Sequence, residues 1–97
     1  MKSTERLLEE YRFIYSDDAR REAVNRLLQR APTDGAALDL LLYVLNEENN
    51  STIRLAIVQY LQSARPLVAI RALTKQMFDP DPLVRAHAAL GVADFLV

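Results

Sequence analysis

Cysteine is absent from the chain, glycine occurs twice and histidine once. Without cysteine there is no disulfide and no thiolate metal site, and the redox compartment leaves no mark on the sequence. Gly35 and Gly91 are too few for a fold rich in tight β-turns, and too few to cradle a phosphate. No glycine-rich nucleotide loop and no glycine-flanked nucleophilic serine occurs. His87 has no second histidine at metal-ligand spacing. Asp94, seven residues on, lies about two helical turns away, beyond direct side-chain bonding along one helix. A structural histidine is the expectation. Charge of one sign is also lacking. Twelve Lys and Arg against thirteen Asp and Glu leave a formal charge of −1, which gives no reason to propose nucleic acid or an anionic membrane as the main partner. The acidic doublets at 9–10 and 47–48 point in different directions on a helix, so neither makes a paired carboxylate site. The doublet Asp17–Asp18 suits helix capping.

Long apolar runs are missing as well. The most apolar stretch, residues 36–45, is interrupted by Asp39 and is far too short to span a bilayer. The N-terminus is mixed in charge and lacks the apolar core of a secretory signal. A cytoplasmic, soluble domain is expected. What the chain does have is an apolar fraction of 51%, rich in alanine and leucine, with arginine the main cation. That composition favours helix over strand, and the length allows one domain at most.

Three segments recur. Aligned on Arg20, Arg54 and Arg85, each has an apolar residue just before the arginine: Ala19, Ile53 and Val84. Apolar residues follow at three, four and seven positions: Ala23, Val24, Leu27; Ile57, Val58, Leu61; Ala88, Ala89, Val92. The arginines lie 34 and then 31 residues apart (54 − 20 and 85 − 54). Recurrence at that interval marks stacked two-helix units, which usually bind partners rather than perform chemistry.

Start and stop signals divide the chain into six helices. The first covers residues 3 or 4 to 15, with Leu7, Leu8, Tyr11, Ile14 and Tyr15 on one stripe. The second is capped by residues 16–18 and reaches about Arg30. The third, capped by Thr33 or Asp34, ends near Glu47, and the fourth follows the capping turn 49–52 to about Gln62. The fifth covers residues 67–78 after Pro66. In the last, Asp81 caps and Pro82 takes the first turn. Short connections fold each helix back on its neighbour. The predicted fold is all-α, an α-solenoid of three stacked antiparallel hairpins over approximately 3–30, 34–63 and 66–97.

The segments around Ile53 and over residues 81–92 resemble HEAT repeats, in particular the short HEAT-like repeats of phycobilin lyases. Residues 81–91 carry an acid–proline turn, an apolar residue then Arg85, an alanine-rich turn and Gly91. The fourth helix matches but has residues 49–52 in place of the acid–proline turn. The first copy departs most, with Ala19 for a larger residue and Arg21 competing with Arg20. The resemblance implies a right-handed, slightly curved stack whose second helices line the inner face. It also implies a ladder of Arg20, Arg54 and Arg85 with the capping residues Asn50 and Asp81 or with carbonyls of adjacent repeats. HEAT-type hydroxylases use His–Glu pairs, and this chain has none.

Two candidate surfaces remain. Basic residues gather in the second helix (Arg20, Arg21, Arg26, Arg30) and around the fifth (Arg65, Arg71, Lys75); the latter strip is a minor candidate for nucleic acid. The last helix is apolar on almost every side. A terminal repeat normally shows a polar outer face, because no further repeat covers it. Either this helix packs back more completely than expected, or a second copy or another protein covers it, or the chain is a piece of a longer array. Coverage by another chain is the favoured reading, with Leu90, Ala93, Phe95, Leu96 and Val97 as the candidate interface. The expected function is a non-catalytic adaptor or assembly factor with no cofactor and no metal. The alternative is an accessory subunit of a bilin lyase-type enzyme.

Overall fold

The computed structural model describes residues 3–13 and 16–96. Ile14 and Tyr15, expected on the stripe of the first helix, and Val97, expected at the interface, lie outside them. All regular structure among the described residues is helical: α1 (Thr4–Phe13), α2 (Asp17–Arg30), α3 (Gly35–Glu47), α4 (Ser51–Ala64), a 3₁₀ turn (Leu67–Ala69), α5 (Ile70–Gln76) and α6 (Pro82–Phe95). Contacts divide the chain into two compact units, Met1–Glu47 and Glu48–Val97. The two helices of the second expected hairpin, α3 and α4, therefore belong to different units.

In the first unit, α2 packs against both α1 and α3. The Ser16 hydroxyl accepts from the Ala19 amide at 3.4 Å, satisfying one of the free N–H groups of the first turn of α2. Asp17 and Asp18 at that end and Arg30 at the other complement the helix dipole. Leu7 and Tyr11 of α1, Ala23, Val24 and Leu27 of α2, and Ala37, Leu41, Val44 and Leu45 of α3 are buried. The loop before α3 is pinned to the start of α1: the Thr4 hydroxyl donates to Asp34 Oδ2 at 2.7 Å. That bond, with the backbone amides of Ala36 and Ala37, holds the Asp34 carboxyl below its ordinary pKa.

In the second unit, α4 and α6 form the most extensive helix pair, and α5 packs against α6. Asn50 caps α4 through the amides of Thr52 and Ile53, and Asp81 caps α6 through those of Leu83 and Val84. Pro82 sits in the first turn of α6, where its missing N–H costs nothing. Ile53, Ile57, Val58 and Leu61 of α4, Leu73 of α5 and Val84 and Ala88 of α6 are buried and form the core of this unit. Gly91 is buried for a specific reason. A Cβ there would stand 3.0 Å from Leu73 Cδ1 and 3.5 Å from Gln62 Cα, so the helices approach closely at this point. The fifth helix is shorter than the expected 67–78. It opens as a 3₁₀ turn after Pro66, with no side-chain cap, and ends at Gln76 ahead of Pro80.

Helix α4 closes on Arg65, which adopts the left-handed conformation (φ 54°, ψ 48°) and donates its amide to the Leu61 carbonyl. Glycine normally takes that position, because a Cβ is unfavourable there. Among the described residues Arg65 is the one non-glycine with positive φ.

Candidate functional site

The recurring arginines enter polar networks at the helix starts. Arg20 pairs with Asp17 in its own first turn. Arg54 does more: Nε donates to Asp79 Oδ2 at 2.7 Å, Nη2 to Asp79 Oδ1 at 3.0 Å and Nη1 to the Glu48 carbonyl at 3.0 Å. This is a bidentate carboxylate pair with only 3% of the Asp79 side chain exposed. The Asp79 carboxylate also accepts from the Asp81 amide at 2.9 Å. Burial alone would raise the Asp79 pKa, but the Arg54 bonds and the Asp81 amide outweigh it, and the carboxyl lies below its ordinary value. Asp81 is lowered too, through the Leu83 amide and the Ser51 hydroxyl. Arg85 donates to the carbonyls of Asp79 at 2.8 Å and Pro80 at 3.0 Å. Arg54 and Arg85 thus converge on one turn, residues 79–81, and clamp it between the starts of α4 and α6. Asn50 and Asp81 act as helix caps beside them.

His87 meets Gln62 of α4, with Nδ1 2.7 Å from Oε1. An amide oxygen only accepts, so that contact places the proton on Nδ1. His87 and Asp94 both line a shallow hollow with Gln59, Gln62, Ser63 and Arg65. Among the described residues no group of three or more His, Asp or Glu could hold a metal.

The basic residues around α5 line two different hollows. Arg65 lines the hollow beside His87, whereas Arg71 and Lys75 border a separate apolar depression with Leu67, Val68, Ile70, Thr74 and Phe78. In α2, Arg20 pairs with Asp17 and Arg26 with Glu22, while Arg30 reaches the Thr4 hydroxyl.

The distinctive surface is α6. At 100° per residue, Val84, Ala88 and Gly91 point inward and are buried. The opposite arc holds Leu83, Ala86, Ala89, Leu90, Ala93 and Leu96, all exposed and all apolar. Leu83 is 58% exposed, Leu90 54% and Leu96 84%. Arg85 and Asp94 bound the arc on its two sides. Of the candidate interface residues, Leu90, Ala93 and Leu96 lie in this arc. Phe95 falls on the inward side and is half-buried. Of the recurring apolar positions after Arg85, Val92 is half-buried and Ala89 faces solvent.

A second apolar group escaped the sequence reading. Leu67, Val68 and Phe78, at 78%, 62% and 84% exposure, stand out at the two ends of α5. The available signal was Phe78 just before a proline turn, a position where a helix stops and its last residues lose their packing partners.

No protein-family model matches the chain, and no curated protein or solved structure matches it.

Proposed function

We propose that the chain is a non-catalytic protein-interaction module of the HEAT-like helical-repeat type, acting as a small adaptor or assembly factor. Its contact surface is the outer arc of α6. One observation carries the reading: that arc runs from Leu83 to Leu96 without a polar side chain, and three of its residues are large and more than half exposed. Isolated exposed leucines are common, but a contiguous charge-free helix face marks an interface. The networks at residues 48–54 and 79–85 support a scaffolding role for the arginines, because each guanidinium is spent on capping turns. The Arg54–Asp79 pair presents no free acid, base or nucleophile, because both groups are held by bonds to each other and to the backbone.

The test is affinity capture from source lysate with two baits, the wild-type chain and Leu90→Asp. The variant places a charge at the centre of the arc and leaves the inward face intact. The expected result is a protein retained by the wild-type bait and lost with Leu90→Asp. Identical captured sets would refute the assignment of α6.

A further inference from the structure

The outer arc of α6 matches itself under a two-fold axis, and we infer that its partner is a second copy of the chain, docked antiparallel through α6. The inference rests on the reading of α6 as a contact surface and names the occupant. Leu83, Ala86, Leu90 and Ala93 follow a three–four–three spacing, the seam along which two helices pack with nearly parallel axes. In an isologous pair each residue i meets j while j meets i. With the axis at Leu90, that residue faces the partner's Leu90. Ala86 then faces the partner's Ala93, and these small side chains admit a close backbone approach. Leu83 lies toward the far end of the partner helix.

The flanks decide the direction. His87 and Asp94 lie on the same side of α6, within 20° of each other on the helical wheel, and both border the hollow beside α4. In an antiparallel two-fold pair, like flanks face each other. His87 of one copy therefore meets the partner's Asp94, and the reverse contact repeats across the axis. The Nδ1 proton of His87 is engaged by Gln62, which leaves Nε2 as the atom turned to the partner's carboxylate. A parallel pair would instead set the His87 and Asp94 flank against the partner's opposite flank, Ala86, Ala89 and Ala93, where neither finds a polar group. Gln59, Gln62, Ser63 and Arg65 from α4 and its C-terminal end and Asp94 on α6 are the polar groups lining the hollow around this ring, and the face toward α5 is apolar at Leu73 and Gly91. The opposite flank is apolar at Ala89 and Leu96, and Arg85 beyond it is turned to the carbonyls of Asp79 and Pro80. An α6–α6 contact is small beside a standard interface of about 800 Å² per partner, so the association is weak and concentration-dependent.

The absence of cysteine makes the test clean. Leu90→Cys places one thiol on the axis, opposite its own copy, whereas Leu83→Cys places it far from its equivalent. Under mild oxidation of the purified full chain, Leu90→Cys is expected to give a covalent dimer of twice the 11.0 kDa chain mass and Leu83→Cys to remain single. Sedimentation velocity of the wild type should show reversible monomer–dimer exchange, weakened roughly tenfold or more by Leu90→Asp. His87→Asp should weaken it as well, through repulsion from the partner's Asp94. Combining His87→Asp with Asp94→His should restore it, with circular dichroism reporting that each variant is folded. A wild type that stays monomeric at every concentration, or cross-linking by Leu83→Cys in place of Leu90→Cys, overturns the pairing. If lysate capture still depends on Leu90 while the purified chain is monomeric, the self-pairing fails and the α6 surface stands. If capture is also unchanged, both fail.

Discussion

Replacing Arg54 with alanine isolates the interaction that holds the second unit's turn in place. The guanidinium makes two bonds to Asp79 and one to the Glu48 carbonyl, and the side chains of the pair are 11% and 3% exposed. Removal leaves a buried carboxylate that keeps the Asp81 amide as a donor. Breaking a buried pair from one side costs about 3–5 kcal/mol, and the surviving amide bond argues for the lower end, about 3 kcal/mol. For a domain of this size that corresponds to a fall in Tm of roughly 10–20 °C. Arg85→Ala removes bonds to two carbonyls from an exposed side chain, and should cost only about 1 kcal/mol. Urea titration followed by circular dichroism measures both. Acidification supplies an internal check. The folded-state pKa of Asp79 lies below its unfolded value, so its contribution is complete above the unfolded pKa and is lost as pH falls through the folded one. The gap between wild type and Arg54→Ala should therefore narrow as pH drops below about 4. A loss no larger than that of Arg85→Ala, or a gap constant with pH, would refute the reasoning.

Three further outcomes follow from the packing. Arg65→Gly removes a Cβ from a left-handed position and should stabilise the chain by about 0.5–1 kcal/mol in the same titration. Gly91→Leu forces a side chain into the space held by Leu73 and Gln62, and should destabilise by about 1–3 kcal/mol with a fall in thermal midpoint. Leu61→Asp buries an unpaired carboxylate where no surface is exposed, and should abolish the cooperative unfolding transition seen by circular dichroism.

Local chemistry was the legible part of the sequence. Ser16, Asn50 and Asp81 stand where side chains can bond the free amides of a first turn, and each does so. The apolar positions three, four and seven after Arg20 and Arg54 are buried as their spacing requires. The last helix was harder. Apolar on almost every side, it carries no polar stripe to fix its rotation, so nothing in the pattern says that Ala88 faces inward and Ala89 outward. Its curious absence of a polar face was visible; which residues form the exposed arc was not. The partner of Arg54 was hidden for another reason. Sequence spacing couples it to Asn50 one turn earlier, but the guanidinium reaches 25 residues on to Asp79, a contact made by tertiary packing alone. The left-handed Arg65 was equally hidden, since arginine gives no signal for positive φ. The arrangement of the hairpins as a continuous stack remains part of the proposal above.

Carbene footprinting of the chain in source lysate against the dilute purified chain tests the central claim most directly, because it reports which apolar side chains another molecule shields. Leu67 and Phe78 at the ends of α5 serve as exposed references. Labelling of Leu83, Leu90 and Leu96 is expected to fall in lysate relative to those two. Equal labelling of both groups in the two samples would contradict an interface on α6.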